Sequence, residues 1–250
     1  MKPKSPRCGQ SDKRNQAYRS QWSPKKFFTR LIKNPQPVIL DVGAHHGESA
    51  VFFKKIFPKS FIYSFEPDPS NFRILQNVIS KINKKPNLQK KTFAIPLAVA
   101  EKNAKMVFYQ QSISHLGGLL AINKKSKDSL GYAKKAPNRN LQVSTTTLDR
   151  FCKNQNIKFI DLLKIDCQGY EIEVLKGAKR ILGKTACCSI EVSFYDFYKK
   201  STSLLQVSKM MDAAGMELWD ISKVSKNPKN FRTDWAELVF LKSFKIAGKK

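Results

Sequence analysis

Short apolar runs alternate along this chain with stretches in which apolar residues recur every three or four positions, a pattern that predicts buried strands alternating with amphipathic helices. The first run, Val38, Ile39 and Leu40, ends on Asp41 and a loop with glycines at 43 and 47, after which Val51, Phe52, Lys55 and Ile56 follow at helical spacing. A second strand is predicted over 61–67, "FIYSFEP", then a helix with Ser70 as N-cap and Phe72, Leu75, Val78, Ile79 and Ile82 on one face. Residues 92–100, "TFAIPLAVA", read as a single third strand. Between 101 and 158 the rhythm breaks: "AKMVFYQ" predicts an added strand, a loop-rich stretch follows, and "LQVSTTTLDRFC" predicts strand then helix. An insertion of this kind is where an acceptor pocket is expected.

The alternation resumes with a buried strand over 159–165, a turn over 166–169, a helix with Ile172, Leu175, Ala178, Ile181 and Leu182 inward, and a fifth core strand in "ACCSIEVSF". A helix near 204–214, stopped by Gly215, leads to two consecutive closing strands, 216–222 and 236–243. The expected fold is therefore α/β with a mostly parallel sheet. One domain over 34–250 follows a polar, basic and flexible extension over 1–33 that ends in a short amphipathic helix. With 250 residues and 41% hydrophobic content the chain can bury one full core.

Composition bounds the setting. No segment reaches the ~20 apolar residues of a membrane span, and the basic start has no apolar stretch behind it, so no secretory signal is read. Five cysteines without a C-x-x-C pair favour reduced thiols in a cytoplasmic protein, with adjacent Cys187 and Cys188 as core thiols on opposite faces of a strand. The net charge of +27 suggests an anionic partner such as RNA, a glycan or a lipid surface. Two facts weaken the nucleic-acid reading: basic residues exceed acidic ones in every segment, and 37 of the 46 are lysine, whereas phosphate and base-edge sites favour the arginine fork. No metal-ligand spacing is read.

The strand–glycine loop–helix unit "VILDVGAHHGES" places a candidate cofactor cradle at a strand's carboxyl end, where open α/β sheets bind ligands. Glu66 lies 25 positions after Asp41, where a Rossmann-like fold sets an acid against ribose hydroxyls. NAD and S-adenosylmethionine share that ribose. A pyrophosphate needs G-x-G-x-x-G, whereas histidines occupy 45 and 46 here, so the loop suits the methionyl end of S-adenosylmethionine, with Asp41 near its ammonium group. The candidate cofactor residues are Asp41, Gly43, Ala44, His45, Gly47, Glu66, Pro67, Ala98, Val99 and Asp166.

The blocks "VILDVGAHHGES", "SFEPDPSNFRILQNV", "LAVAEKNAKMVFY", "TTTLDRF", "IDLLKIDCQGYEIEVLKGA" and "SIEVSF", in that order over about 37–241, resemble the FkbM-type S-adenosylmethionine-dependent methyltransferases. The resemblance implies a class I methyltransferase fold: a Rossmann-like three-layer sandwich around a seven-stranded, mostly parallel sheet whose final strand is antiparallel. It also implies S-adenosylmethionine as cofactor and methylation of a hydroxyl on a sugar, glycan or related metabolite. Two positions depart from the pattern: His45 stands where asparagine is usual, and Gln168 where glutamate is usual. Beside the resemblance, an alcohol must lose a proton to attack a methyl group, which calls for a nearby base. Asp166 leads the candidates, followed by Glu191 and His115. Helix N-cap is the competing role for Asp166. An RNA methyltransferase and a non-catalytic cofactor-binding protein stay open as alternatives, as does the oligomeric state.

Overall fold

The computed structural model describes residues 16–17, 22–89, 91–126, 137–228 and 230–242. The chain divides into two compact units, 1–33 and 34–250. In the first, helix α1 (Pro24–Leu31) begins at Ser23, whose side chain accepts from the Lys26 N–H, with Pro24 at the position where a missing N–H costs nothing.

In the second unit, seven strands form one sheet in the order β3 (Thr92–Ile95), β2 (Phe61–Phe65), β1 (Val38–Val42), β7 (Ile160–Ile165), β8 (Thr185–Ser193), β10 (Thr233–Lys242), β9 (Met216–Lys226). The pairings that join β3, β2, β1, β7 and β8 are all parallel, as a βαβ fold requires, whereas β10 is antiparallel to both its neighbours. Strand order reverses at β1 and β7. Right-handed crossovers then send α2 (Glu48–Ile56) and α3 (Pro69–Asn83) to one face. The short helices α5 (Glu171–Lys176) and α6 (Lys179–Leu182), with α7 (Leu204–Ala213), go to the other, giving three layers. The reversal also opens a crevice at the carboxyl ends of β1 and β7.

Burial explains the strands. Ile39, Leu40, Leu162, Leu163 and Ile165 have no exposed surface, as a sheet covered on both faces requires. Cys187 and Cys188 are both buried free thiols.

Several local readings change. Helix α3 is capped by Asp68, not Ser70, because Pro69 fixes the first helical turn and the Asp68 carboxylate accepts from the N–H groups of Ser70 and Asn71. Helix α2 buries Ala50, Phe53 and Lys54 while Val51 is exposed; the Lys54 ammonium is accommodated by donating to the Ser60 carbonyl at 2.6 Å. The stretch 92–100 splits at Pro96–Leu97, and β4 (Ala98–Val99) leaves the main sheet to pair with β6 (Asn138–Thr146). That strand, with β5 (Lys105–Gln111), makes a second three-stranded sheet from the insertion. Helix α4 (Leu148–Asn154) leads back to the core. The single helix expected after residue 169 is broken at Gly177, where a side chain would collide with the Ala100 carbonyl; Asp149 then caps the second piece through the Arg180 and Ile181 N–H groups. The loop-rich stretch lies partly outside the described residues, as does Ser243.

Candidate active site

A cavity of about 270 Å³ opens at the β1/β7 crevice. The β1–α2 loop forms one wall. Gly43 and Gly47 both adopt left-handed backbone, with φ +82° and +95°. A side chain at Gly43 would overlap the Asp166 carbonyl, so this glycine lets the two strand ends meet. At Gly47 a Cβ would lie 3.0 Å from Leu75 and 3.2 Å from Val78. Gly47 therefore faces helix α3 and does not line the cavity, contrary to the expectation from its spacing.

Glu66, just past β2, faces the cavity with 5% exposure. Its Oε2 accepts the His45 N–H and its Oε1 the Asp68 N–H, both at 2.9 Å, so it fixes the loop as well as facing the cavity. Burial pushes its pKa up to about 8 despite those bonds. Ala44, His45, Pro67, Ala98 and Val99 also line the cavity. His45 is held by Ser114 Oγ at 2.9 Å from Nε2, which ties the loop to the 3₁₀ turn Ser114–Leu116. Burial, and then the neighbouring His46, lower its pKa.

Asp41 is placed differently from expectation. It is fully buried and lies beneath the cavity floor, and the cation it meets is Lys164, at 3.9 Å from Oδ1. Burial raises its pKa to about 6 against the pull of Lys164, and Oδ1 has no hydrogen-bond partner.

Lys164 is the group that sequence reasoning missed. It interrupts the apolar strand "IDLLKI", and that interruption was the available signal. Burial opposes its charge, but Asp166, Asp41 and Glu237 outweigh burial and raise its pKa. Its Nζ lies 3.3 Å from Asp166 Oδ2.

Asp166 lines the cavity with its side chain 30% exposed. It is no helix cap: α5 starts at Glu171, behind Tyr170. The turn between them is held by Glu171, whose Oε1 accepts from the Cys167 N–H at 3.3 Å and the Gly169 N–H at 2.9 Å. Gln168, at φ +59°, donates from Nε2 to Asp166 Oδ1 at 3.0 Å. Its Oε1 accepts from the Tyr198 hydroxyl at 2.7 Å, and that hydroxyl also lies 3.2 Å from the Leu116 carbonyl. One carboxylate thus has a lysine on one oxygen and an amide on the other.

His115 lines the cavity, its ring 6.5 Å from that of His45. Glu191 does not reach the wall. It lies in β8 opposite Glu237 of β10, and burial, then Asp166, push its pKa up.

His45, His46 and Glu48 bring one ligand atom each within 4.8 Å. The two rings stack at 3.7 Å with planes 20° apart, so their in-plane lone pairs do not converge on one ion.

The geometry fits S-adenosylmethionine on two counts. An acceptor carboxylate, Glu66, stands at the cavity wall for ribose hydroxyls, and apolar Phe65, Leu97 and Val99 beside it provide a surface for a base.

Comparisons with known proteins agree. The methyltransferase FkbM domain matches residues 41–218. A 2-O-methyltransferase NoeI of Sinorhizobium fredii is 27% identical over 189 residues, covering 72% of this chain and 73% of that protein. Methyltransferase sdnD of Sordaria araneosa is 26% identical over 166 residues, covering 56% of this chain and 60% of its own length. The crystal structure of an FkbM methyltransferase from Methylobacillus flagellatus superposes with a TM-score of 0.55 at 16% identity; the match covers 90% of this chain and 50% of that one, so the chain spans about half its length. That likeness carries the fold. No described helix is long and apolar enough to cross a membrane. The chain belongs to the FkbM family of methyltransferases, whose methyl donor is S-adenosylmethionine.

Proposed function

We propose that this methyltransferase acts on a hydroxyl oxygen of a sugar, glycan or related metabolite, with Asp166 as the base. One observation carries the reading: Asp166 stands on the cavity wall beside the β1–α2 loop, with Lys164 at one oxygen and Gln168 at the other. When bound, S-adenosylmethionine supplies an electrophilic methyl group. The protein's share is alignment of the acceptor, worth several orders of magnitude in such displacements, and removal of its proton. Each Asp166 oxygen keeps a free lone pair after its bond, so either can accept the hydroxyl proton. Gln168 supports this role differently from a glutamate, because an amide donates where a carboxylate would repel. Glu191 acts from below, through its field on Asp166 and Lys164. The relative named for 2-O-methylation supports the oxygen acceptor.

The test is transfer of labelled methyl from S-adenosylmethionine to a panel of mono- and oligosaccharides, with bulk RNA as comparison. Labelling of sugars that disappears in Asp166→Asn supports the proposal. Labelling of RNA alone would assign the chain to the nucleic-acid class, and cofactor binding without any transfer to the non-catalytic class.

A further inference from the structure

A second hollow of about 340 Å³ lies on the insertion. Its floor follows from strand pairing. In the β5–β6 ribbon Tyr109 stands opposite Asn140 and Gln111 opposite Asn138, so these four side chains share one face. The other face carries Phe108, Leu141 and Val143, which pack with Ala98. One face is therefore apolar and buried, while the other presents an aromatic ring and three amides to the hollow.

The opposite rim is basic. Lys124 and Lys125 follow the bridge between Ile122 and Tyr198, and Lys199 is fixed beside them by its N–H donating to the Ala121 carbonyl at 2.9 Å. Among the described residues none of these three lysines has a carboxylate partner. The nearby acid Asp196 accepts from Asn123 Nδ2 at 2.8 Å. Tyr109 also joins this hollow to the methyl-transfer cavity: its N–H donates to the Gly118 carbonyl at 2.8 Å, and Gly118 lines that cavity.

We propose that this hollow is a docking site for an anionic glycan, a chain bearing sulfate or uronate groups, one residue of which is held here while another part of the chain reaches the active site. The chemistry matches group by group. A tyrosine ring offers a flat apolar surface to the C–H face of a pyranose. Side-chain amides both donate and accept, as vicinal hydroxyls demand. The three ammonium groups meet sulfate or carboxylate oxygens in charge-assisted bonds. A single-stranded nucleic acid would call for a series of stacking rings, and this face supplies one. The site depends on the sugar-acceptor reading for its purpose, but its occupancy is measured without methyl transfer.

The experiment is calorimetry on the full chain in about 0.15 M salt, where long-range attraction is screened beyond about 8 Å. The probes are a heparin-derived hexasaccharide and, as neutral comparison, chitohexaose. Heparin hexasaccharide should bind more tightly than chitohexaose. The triple variant K124E/K125E/K199E should weaken it about 30-fold or more. Tyr109→Ala and Asn140→Ala, which leave the charge unchanged, should each weaken it by about fivefold. A charge-matched control on exposed positions of α3 and just beyond it, K81E/K84E/K85E, should change it less than about threefold. All variants should bind S-adenosylmethionine as the parent does; loss of that binding in the parent would strike the methyltransferase site and leave this one standing. The proposal is overturned if the control triple weakens heparin as much as the site triple, which would mean diffuse attraction. It also falls if Tyr109→Ala and Asn140→Ala both bind as the parent does. Tighter binding of an RNA hexamer at the same lysines would assign the hollow to nucleic acid.

Discussion

Substitution of Glu66 by glutamine isolates one charge at nearly constant volume. Both carboxylate oxygens accept a backbone N–H at 2.9 Å in a position 5% exposed. A carboxamide offers one acceptor oxygen, so its NH₂ must face one of those donors; an unpaired buried donor costs about 1 to 3 kcal/mol. The bond from a ribose hydroxyl to a charged oxygen, worth about 1.5 to 3 kcal/mol, weakens as well. Affinity for S-adenosylmethionine should fall roughly 10- to 100-fold. The pH dependence gives a second reading. Burial holds the Glu66 pKa near 8, whereas a hydroxyl donor favours its charged form. Binding therefore releases a proton below about pH 8, and affinity should drop by up to tenfold per pH unit below that value, an upper bound of roughly 100-fold between pH 9 and pH 6. Glutamine resembles the protonated acid, so parent and variant should converge at low pH and separate at high pH. Calorimetry across this range in two buffers of different ionisation enthalpy counts the proton directly. Equal parent affinity at pH 6 and pH 9 with no proton released, or a variant within twofold at pH 9, would refute the reasoning.

Four further outcomes are expected. Asp166→Asn should lower kcat by about 10²- to 10⁴-fold on a verified acceptor with S-adenosylmethionine affinity within a few-fold, and near-full turnover would remove the base assignment. Gln168→Glu sets a second carboxylate 3.0 Å from Asp166 Oδ1 in place of a donor, so turnover at neutral pH should fall at least about tenfold in steady-state assays, and unchanged or raised turnover would refute this. Gly43→Ala, which meets the Asp166 carbonyl in left-handed backbone, should cost about 2 to 4 kcal/mol in denaturant unfolding, and Gly47→Ala about 1 to 2, since its neighbours Leu75 and Val78 are side chains that can shift. Without cofactor, thermal stability should fall as pH rises from about 5 to 9: Glu66 and Glu171 have folded pKa values raised by burial to about 8 and 7. Their contribution is complete below the ordinary carboxylate range and is lost as pH rises through those values, which a melting series reads.

The sequence by itself determined the element order, because strands covered on both faces must be continuously apolar and helices must carry a stripe. It marked the loop at 43–47 and the acids at 66 and 166 through their positions at strand ends. It also placed the added strand and the closing pair. What it could not supply was direction in space. Asp41 and Glu66 both follow apolar runs, yet one side chain is buried beside Lys164 of the neighbouring strand and the other faces the cavity. Glu191 lies inside β8, against β10 and one strand further along the sheet, whereas Asp166 follows the carboxyl end of β7 at the crevice. Gly47 looks like part of a cradle but faces α3, because only the packed helix shows which side of the loop is crowded. The split at 96–97 needed the second sheet to exist, since β4 gains its ladder from β6, residues far along the chain. Lys164 and the Gln168–Tyr198 link depend on contacts across 2 to 123 positions. Period and composition report how often a residue type recurs along one element; which groups meet at the crevice is decided by the crossovers that bring separate elements together.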